Sequence, residues 1–311
     1  MESYDFIIIG GGGAGLAGAM YAARLGMKTL VFGTSHGTDL PIGGVITTTD
    51  IVENYPGFTK IGGFELAKKL EEHARSYDLV TIKTEKAEEI KKVKDGFLVK
   101  TKKGEYKGRA VLFATGTRWR KLEVPGAERL MNKGVHYCAL CDGPLYRDKV
   151  VAVVGGSDSA VKDALFLSEH AKKVYIIYRG EKIHPEPINL ARVQKNKKIE
   201  IINNTNITEV KGKEFTESVL LDKPYRGGKE LELDGVFVAI GHIILSELAE
   251  KLGVNLNVER EIIINHKTSE TNIPGIFAAG DVTDKHFKQL ITGVADACTA
   301  AYSAYDYISS K

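Results

Sequence analysis

A strand that runs directly into a glycine turn and then into a helix is the feature that most restricts how this chain can fold. Residues 4–9 (YDFIII) predict a buried strand, and residues 10–15 (GGGGAG) follow at once. Residues 16–25 have helical spacing with several small side chains, and residues 28–32 predict a second strand. This order predicts a βαβ unit that binds a dinucleotide, with a purely structural glycine turn as the alternative.

The glycines of this turn have separate tasks in such a unit. Gly10 permits the tight turn, Gly12 lets the backbone approach a diphosphate, and Gly15 lets helix and strand pack closely. The diphosphate lies at the helix N-terminus, where free N–H groups and the helix dipole are positive. At the end of the second strand, where an acid usually binds the adenosine ribose, this chain has Gly33, and Asp39 lies in a predicted loop. The predicted ligand contacts are Gly10, Gly12, Gly13, Ala14 and Gly15.

A second unit of this kind begins at Val150. Residues 150–154 (VVAVV) predict an apolar strand, and residues 155–160 (GGSDSA) predict a looser turn that a helix follows. The next predicted strand ends at Arg179. A cation at this place commonly meets the 2′-phosphate of NADPH, whereas Glu181 favours the free ribose hydroxyl of NADH, so both nucleotides stay open. The predicted ligand contacts are Gly155, Gly156, Ser157, Asp158, Ser159 and Arg179.

Small and hydroxyl-bearing residues recur where a flat cofactor ring could lie against the backbone. Residues 43–49 join two glycines to a threonine run, and residues 52–57 (VENYPG) follow, although a plain surface loop is the alternative. Residues 111–116 predict a buried strand that ends in small residues. Residues 274–282 predict another, whose Asp281 could accept a hydrogen bond from a ribityl hydroxyl or cap a turn.

The remaining segments predict how the domains are arranged. Residues 64–77 and 246–252 predict helices, residues 81–112 a β-meander with a solvated lysine face, and residues 199–241 further strands. The long helix predicted at 289–308 carries partial positive charge at its N-terminus, which would stabilise a reduced, anionic flavin. One strand and one helix after the second unit are hard to place there. They fit a return to the first domain, with the middle segment as an insertion.

Cys138 and Cys141 stand two residues apart, and Asp142 follows directly. A zinc site needs a second ligand pair, but the only other cysteine is Cys298, which is predicted to be a buried helix residue. A purely structural disulfide would be unusual in a cytoplasmic protein. A redox dithiol is favoured, because the small disulfide ring stays exchangeable and the motif lowers one thiol pKa. Asp142 could give or take the thiol proton, or cap a following turn.

Charge and hydropathy exclude several classes of protein. The net charge of +3, with basic and acidic residues interleaved, gives no indication of nucleic-acid binding. No apolar run approaches the ~18 residues of a membrane span, and the N-terminus lacks the features of a signal peptide. The sequence therefore predicts a cytoplasmic protein of about two domains without a metal site.

These motifs resemble, in type and in order over nearly the full length, those of the low-molecular-weight thioredoxin reductases of bacteria and archaea. The matching segments are residues 10–15, 43–49, 53–57, 114–116, 138–143, 155–160 and 280–282. The resemblance implies an α/β fold with two Rossmann-like three-layer domains, the nicotinamide domain inserted into the FAD domain. It implies an FAD-binding domain at 1–117 and 246–311, and a nicotinamide-binding domain with the Cys pair at 118–245.

The resemblance also implies an activity. Electrons would pass from NADPH or NADH through FAD to Cys138 and Cys141, and then to a thioredoxin- or glutaredoxin-like protein, in a homodimer. Cys141 would face the flavin, Asp142 would donate the proton, and the inserted domain would rotate on hinges at 117–121 and 241–245. The further FAD contacts that the resemblance implies are Gly43, Gly44, Thr48, Asn54, Ala114, Thr115, Gly116, Gly280, Asp281, Gln289 and Leu290.

Three departures from the family pattern bear on the electron donor and the hinge. Residues 178–180 read YRG where NADPH-specific members have His-Arg-Arg, and His184 takes the place of a further arginine. Residues 43–45 read GGV instead of Gly-Gly-Gln, and residues 241–245 read GHIIL instead of Gly-His-x-Pro-Asn. Ferredoxin or a deazaflavin therefore stays open as a donor. Two other readings are a flavin-dependent ferredoxin–nicotinamide reductase and a flavin-bound redox sensor.

Overall fold

The computed structural model describes residues 2–33 and 40–310. Asp39, named above for the adenosine ribose, lies outside the described residues. The strands are β1 (Glu2–Ile9), β2 (Thr29–Phe32), β3 (Ile51–Val52), β4 (Ile61–Gly62), β5 (Val80–Lys83), β6 (Glu89–Val93), β7 (Gly96–Lys100), β8 (Glu105–Phe113), β9 (Thr117–Trp119), β10 (Val135–His136), β11 (Val150–Val154), β12 (Lys173–Ile177), β13 (Ile199–Ile202), β14 (Ile207–Lys211), β15 (Ser218–Tyr225), β16 (Gly228–Glu232), β17 (Gly235–Val238), β18 (His242–Ile244) and β19 (Ile276–Ala278). The helices are α1 (Gly13–Arg24), α2 (Gly63–Arg75), α3 (Ala139–Asp142), α4 (Asp158–His170), α5 (Pro187–Lys195), α6 (Glu247–Lys251) and α7 (Leu290–Ser309), with 3₁₀ turns at Gly44–Thr48, Gly143–Tyr146 and Gly280–Val282.

The chain folds into two compact units. Unit 1 consists of Met1–Arg118 and Ile244–Lys311, and unit 2 is Trp119–Ile243. The stretches in which the chain passes from one unit to the other, β9 and β18, pair with each other in a two-stranded sheet. None of the helices in the described part of the chain is long and apolar enough to cross a membrane.

Unit 1 is built on a seven-stranded sheet in the order β5-β2-β1-β8-β7-β6, with β19 also beside β8. β1, β2, β5, β8 and β19 are parallel, whereas β6 and β7 run antiparallel to their neighbours. Phe6 and Ile8 of β1 pack with α1 and α7 on one face, and Ile7 and Ile9 pack on the other. Burial on both faces explains why β1 reads as a continuous apolar run.

Unit 2 is built on a five-stranded parallel sheet in the order β10-β17-β11-β12-β13. On one face, Val151 and Val153 of β11 pack with residues of α4 and α5. On the other face, Ala152 and Val154 pack with the antiparallel sheet β14-β15-β16. Each unit thus places a central parallel arrangement between two layers, and the predicted α/β class is confirmed.

The structure corrects four sequence predictions. Thr81 is not part of the meander, since β5 pairs in parallel with β2. Residues 111–113 are the end of the long strand β8 rather than a separate strand. Residues 117–119 are a paired strand rather than an open linker, because they have a partner far away in sequence. Cys298 lies on α7 as predicted, but it is half-buried.

Candidate active site

The turn between β1 and α1 is packed too tightly for a side chain at two of its glycines. A Cβ atom on Gly10 would lie 2.3 Å from the carbonyl oxygen of Ala114, and one on Gly15 would lie 1.9 Å from that of Gly10. Gly10 also has a φ of +115°, which residues with a side chain rarely adopt. Both glycines therefore let β1, β8 and α1 come into contact.

Gly12 differs from these two glycines, because it faces open space. It is the N-cap of α1, and a Cβ atom on it would meet only the carbonyl oxygen of Gly43, at 3.8 Å. α1 has neither a capping side chain nor an acidic residue in its first turn. Its first N–H groups keep their partial positive charge without a side-chain partner, which fits the diphosphate of a dinucleotide.

Segments from four parts of the chain converge on this turn. Gly43 donates an N–H hydrogen bond into it. A Cβ atom on Gly13 would lie 2.3 Å from the Leu290 side chain, and one on Gly280 would lie 3.2 Å from the Cβ atom of Ala14. The fold thus brings the predicted contacts near residues 43, 114, 280 and 290 to one helix N-terminus.

Two side chains predicted to bind FAD hold the start of α7. Asn54 donates from Nδ2 to Oε1 of Gln289 over 3.0 Å, and Gln289 forms a capping box with Thr292. Thr48, also predicted as a contact, donates its hydroxyl to the carbonyl of Val45 over 2.7 Å. These bonds fix the loops around the N-terminus of α7, which carries no acidic residue in its first turn.

Thr115 forms a hydrogen bond through its side chain, and Asp281 accepts one at its backbone carbonyl. The buried hydroxyl of Thr115 donates to the carbonyl of Leu245 over 2.7 Å, and the N–H of Leu245 donates to Gly116. Thr115 therefore ties β8 to the returning chain. Asp281 is half-buried in its 3₁₀ turn, and its backbone carbonyl accepts a hydrogen bond from Lys288 over 2.9 Å.

The second glycine turn, between β11 and α4, is packed as tightly at its first glycine as the first turn is. Its second glycine, however, is covered by a tyrosine ring. A Cβ atom on Gly155 would lie 2.2 Å from the carbonyl oxygen of Ala239. Ser157 is the N-cap of α4, and its side chain makes no capping hydrogen bond. The ring of Tyr178 lies against Gly156, where a Cβ atom would be 2.5 Å from a ring carbon.

Asp158 is bound to its own domain. Its carboxylate accepts the N–H of Glu186 over 2.9 Å and Nδ2 of Asn189 over 2.8 Å, and it lies 2.7 Å from Nζ of Lys162. Burial acts to raise the pKa of Asp158, but these partners outweigh it and lower the pKa. The carboxylate thus joins the start of α4 to α5.

An exposed arginine follows the end of β12. Arg179 is exposed and forms no ion pair with any residue in the two described ranges, and Ser159 is exposed as well. His184 lies with Nδ1 3.4 Å from the hydroxyl of Tyr178. A Cβ atom on Gly180 would lie 2.6 Å from the same ring. Tyr178 therefore occupies the space where further cations could stand.

Cys138 and Cys141 form a disulfide, with 5.3 Å between their Cα atoms. Cys138 is the N-cap of α3, and its Sγ accepts the N–H of Cys141 over 3.1 Å. An amide donor favours negative charge on the sulfur that accepts it, so Cys138 is the better thiolate once the bond opens. No group of three His, Cys, Asp or Glu side chains that could hold a metal exists within residues 2–33 and 40–310.

Behind the disulfide lies a polar chain that the sequence did not indicate. His136 of β10 is only 4% exposed, and its Nδ1 is 3.0 Å from Oδ2 of Asp142. Its Nε2 is 2.7 Å from the hydroxyl of Tyr146. The ring stacks on Phe237 with 5.3 Å between centroids. Asp142, which could have capped a turn, instead faces a buried imidazole.

Burial has the largest effect on the proton affinities of His136 and Tyr146. It lowers the pKa of His136, against the opposing charge of Asp142. It also raises the pKa of Tyr146 to about 12, with the charges of Asp142 and Asp234 acting in the same direction. At neutral pH, His136 is therefore neutral and Tyr146 keeps its hydroxyl proton.

Comparison with known proteins gives one family throughout. The family model described as pyridine nucleotide-disulphide oxidoreductase matches residues 4–301. The thioredoxin reductase of Bacillus subtilis (strain 168) is 39% identical over 310 residues, which cover 98% of this chain and 95% of that protein.

Solved structures agree. The thioredoxin reductase of Lactococcus lactis, in its FR conformation, superposes with a TM-score of 0.91 at 36% identity, over 99% of this chain and all of that one. A ferredoxin-flavin thioredoxin reductase from Clostridium acetobutylicum gives a TM-score of 0.53 at 32% identity, over the full length of both chains.

Proposed function

Because this chain belongs to the pyridine nucleotide-disulphide oxidoreductase family and, within it, to the low-molecular-weight thioredoxin reductases, we propose that it passes electrons from a pyridine nucleotide through FAD to a thioredoxin-like protein. The observation that carries the proposal is the Cys138–Cys141 disulfide, which lies in the same unit as the second glycine turn. A glutaredoxin-like protein would offer the same exchangeable disulfide.

Unit 1 is the FAD-binding domain in this proposal. FAD, when bound, accepts a hydride from the nucleotide and delivers two electrons to the disulfide. The uncapped N-terminus of α1 at Gly12 would hold the diphosphate, and the start of α7 would face the reactive ring. Asn54 and Gln289 fix the loops around that helix start, which keeps the positive end of α7 in place.

Unit 2 is the nicotinamide-binding domain and also carries the dithiol. Cys138 attacks the disulfide of the protein partner, since the N–H of Cys141 stabilises its thiolate. Cys141 then faces the flavin, and Asp142 exchanges the thiol proton. Residues 117–121 and 241–245 would be the hinges between the two tasks.

The second glycine turn takes a pyridine nucleotide with little discrimination between NADPH and NADH. Arg179 is an exposed cation that could meet a 2′-phosphate, and Gly180, which lies against the ring of Tyr178, takes the position of a further one. An exposed charge pair contributes up to about 1 kcal/mol, so Arg179 alone gives about fivefold preference.

We propose a homodimer that works in the cytoplasm, where protein thiols are kept reduced. Exposed aromatic side chains on α1 and α7 support the dimer, since Tyr21 is 38% exposed, Tyr302 55% and Tyr305 38%. Sedimentation of the holoenzyme tests this, and a monomer at micromolar concentration would contradict it.

Anaerobic mixing of the oxidised holoenzyme with NADH or NADPH tests the proposal. We expect both nucleotides to bleach the flavin band, at rates within about tenfold of each other. Oxidised thioredoxin from Bacillus subtilis, added next, should restore the band and gain two thiols per molecule. If neither nucleotide bleaches the band, the nicotinamide step is contradicted. If the holoenzyme is reduced but thioredoxin gains no thiols, the reductase function is contradicted.

A second candidate keeps the disulfide chemistry but takes electrons from reduced ferredoxin. The observation that favours it is the ring of Tyr178 against Gly156, where a nucleotide diphosphate would approach the backbone. Reduced ferredoxin in place of the nucleotide, in the same mixing experiment, separates the two candidates.

A further inference from the structure

We propose that Tyr146 and His136 form a chain of hydrogen-bond donors that ends on Asp142 and sets the proton affinity of this carboxylate beside the disulfide. The proposal rests on the disulfide reductase function and extends it to two residues behind the Cys pair. His136 is a positioning residue here, because it contacts Asp142 and not the sulfur atoms.

The three side chains come from one short stretch of sequence but are fixed by the sheet of unit 2. His136 lies on β10, Asp142 ends α3, and Tyr146 ends the 3₁₀ turn that follows. The Tyr146 ring lies so close to Gly235 that a Cβ atom there would be 2.5 Å from it. Phe237 stacks on the imidazole. The geometry therefore leaves His136 one partner at each ring nitrogen.

The direction of the hydrogen bonds follows from counting donors. The hydroxyl of Tyr146 has one proton, and Nε2 of His136 at 2.7 Å can accept it. A neutral imidazole that accepts at Nε2 carries its proton on Nδ1, which faces Oδ2 of Asp142 at 3.0 Å. The other tautomer would place two acceptors against each other at that distance.

The contact between His136 and Asp142 is close but not well aligned. Nδ1 of His136 is buried, and it has no properly angled hydrogen bond to any other described residue. A small rotation of the carboxylate, whose side chain is 31% exposed, completes the bond. Hydrogen bonds in active sites often tighten only when the reacting groups are in place.

The chain acts in the opening and closing of the disulfide. Opening the S–S bond takes two electrons, which the proposed function supplies, and one proton if one sulfur leaves as thiol and the other as thiolate. Asp142 gives that proton to the leaving sulfur, and the Nδ1–H of His136 stabilises the carboxylate that remains. When the dithiol attacks a partner disulfide, the Asp142 carboxylate takes the proton back.

Few charged groups act on the side chains of His136 and Tyr146. Asp142 faces the imidazole from α3 and Tyr146 from the turn after it, while β17 presents the apolar ring of Phe237. Asp234 acts on Tyr146 from a distance and is paired with Lys149 at 3.1 Å. The closest charged or polar side chain to the Asp142 carboxylate in this chain of donors is therefore His136.

The first test reads the tautomer without any electron donor or partner. Holoenzyme with ¹⁵N-labelled histidine should show His136 as the neutral Nδ1–H form at neutral pH. The His136→Asn variant assigns the signal by its loss. An Nε2–H form, or a charged imidazole at neutral pH, would overturn the proposal even if the enzyme reduces thioredoxin.

The second test reads the effect on the dithiol. The reduced holoenzyme is mixed with oxidised Bacillus subtilis thioredoxin over a range of pH. Tyr146→Phe keeps the ring against Gly235 but removes the last donor, so the acid-side inflection should move up by about one pH unit.

The matched control is Tyr137→Phe, which removes a neighbouring hydroxyl that accepts the N–H of Leu122. Its pH profile should coincide with that of the natural chain. His136→Leu should shift the inflection as Tyr146→Phe does, and His136→Asn, whose amide can donate from about the Nδ1 position, should restore it. Tyr146→Phe and Tyr137→Phe profiles that coincide would overturn the proposal. If the natural chain reduces no thioredoxin, the tautomer measurement still decides it.

Discussion

The two glycine turns of this molecule are built on the same strand-turn-helix plan and then diverge at the helix start. α1 begins at an open glycine with no acid in its first turn, whereas α4 begins beside an aromatic ring with Asp158 in its first turn. In unit 1, segments from all over the chain converge on the turn. In unit 2, Asp158 beside the turn forms hydrogen bonds and an ion pair with residues of its own unit.

The difference shows that a shared βαβ plan does not define a shared ligand. The first turn leaves its positive helix end free for a phosphate group, which is typical of a tightly held cofactor. The second neutralises part of its helix end with Asp158 and offers one exposed arginine. A ligand that arrives and leaves in every cycle fits the second turn better than the first.

The largest expected effect is that of a Cys141 substitution, which should stop thioredoxin reduction but leave flavin reduction by the nucleotide intact. Cys141→Ser should lower thioredoxin reduction by about three orders of magnitude or more, because the disulfide can no longer form. Flavin content and the rate at which the nucleotide bleaches the flavin should stay within about twofold. Stopped-flow absorbance and a coupled thioredoxin assay measure the two steps.

Cys298→Ser is the matched control, since it changes a half-buried free cysteine of unit 1. It should leave both steps unchanged. Turnover that survives in Cys141→Ser would show that the dithiol is not the route to the partner.

The next effect compares the two helix starts directly. Gly12→Asp and Ser157→Asp place a carboxylate at the N-cap of α1 and of α4, where aspartate is a good capping residue. Like charges against each other cost several kcal/mol, so Gly12→Asp should weaken FAD binding by about 100-fold or more. Ser157→Asp should keep its flavin and lose affinity for the nucleotide instead.

Flavin absorbance per protein and nucleotide titration measure these two effects, and circular dichroism checks that both variants fold. A Gly12→Asp protein that purifies with full flavin would remove the proposed difference between the turns.

A smaller effect concerns the donor. Arg179→Gln should raise KM for NADPH about fivefold, which corresponds to the ~1 kcal/mol of an exposed ion pair, and leave KM for NADH within about twofold. Steady-state kinetics with each nucleotide measure it. Equal changes for both would mean that Arg179 does not meet a 2′-phosphate.

Most elements could be predicted because their signals are local. Strand β11 and helix α4 follow from residues 150–170 alone, and the reactive cysteine pair follows from residues 138–141. Helix α5 also has a local signal, since Pro187 stands in its first turn.

The features that could not be predicted depend on residues far apart in sequence. In the sequence, nothing distinguishes His136 from other strand residues. In the fold, Phe237 and Tyr146 lie against its ring. Tyr178 covers Gly156 only because β12 lies beside β11. The pairing of β9 with β18 is likewise invisible in either segment.

The smallest expected effect concerns Asp158, the acid that distinguishes the second helix start from the first. Asp158→Asn keeps the size of the side chain but removes the charge that faces Lys162 and weakens the bonds to α5. Hydrogen bonds to a charged group contribute about 1–3 kcal/mol, so the variant should be less stable by about 1–2 kcal/mol at neutral pH.

The pH dependence of this loss shows whether the charge is responsible. The pKa of Asp158 is lowered in the folded protein, so its contribution is present above the unfolded pKa and is lost as pH falls through the folded pKa. The thermal midpoints of the natural chain and of Asp158→Asn should therefore differ by about 2–6 °C near neutral pH and converge below about pH 4. Lys162→Met, which removes only the ion pair, should show a smaller difference. A gap that persists in acid would mean that the side chain acts by shape, and the two helix starts would then differ less in charge than their sequences indicate.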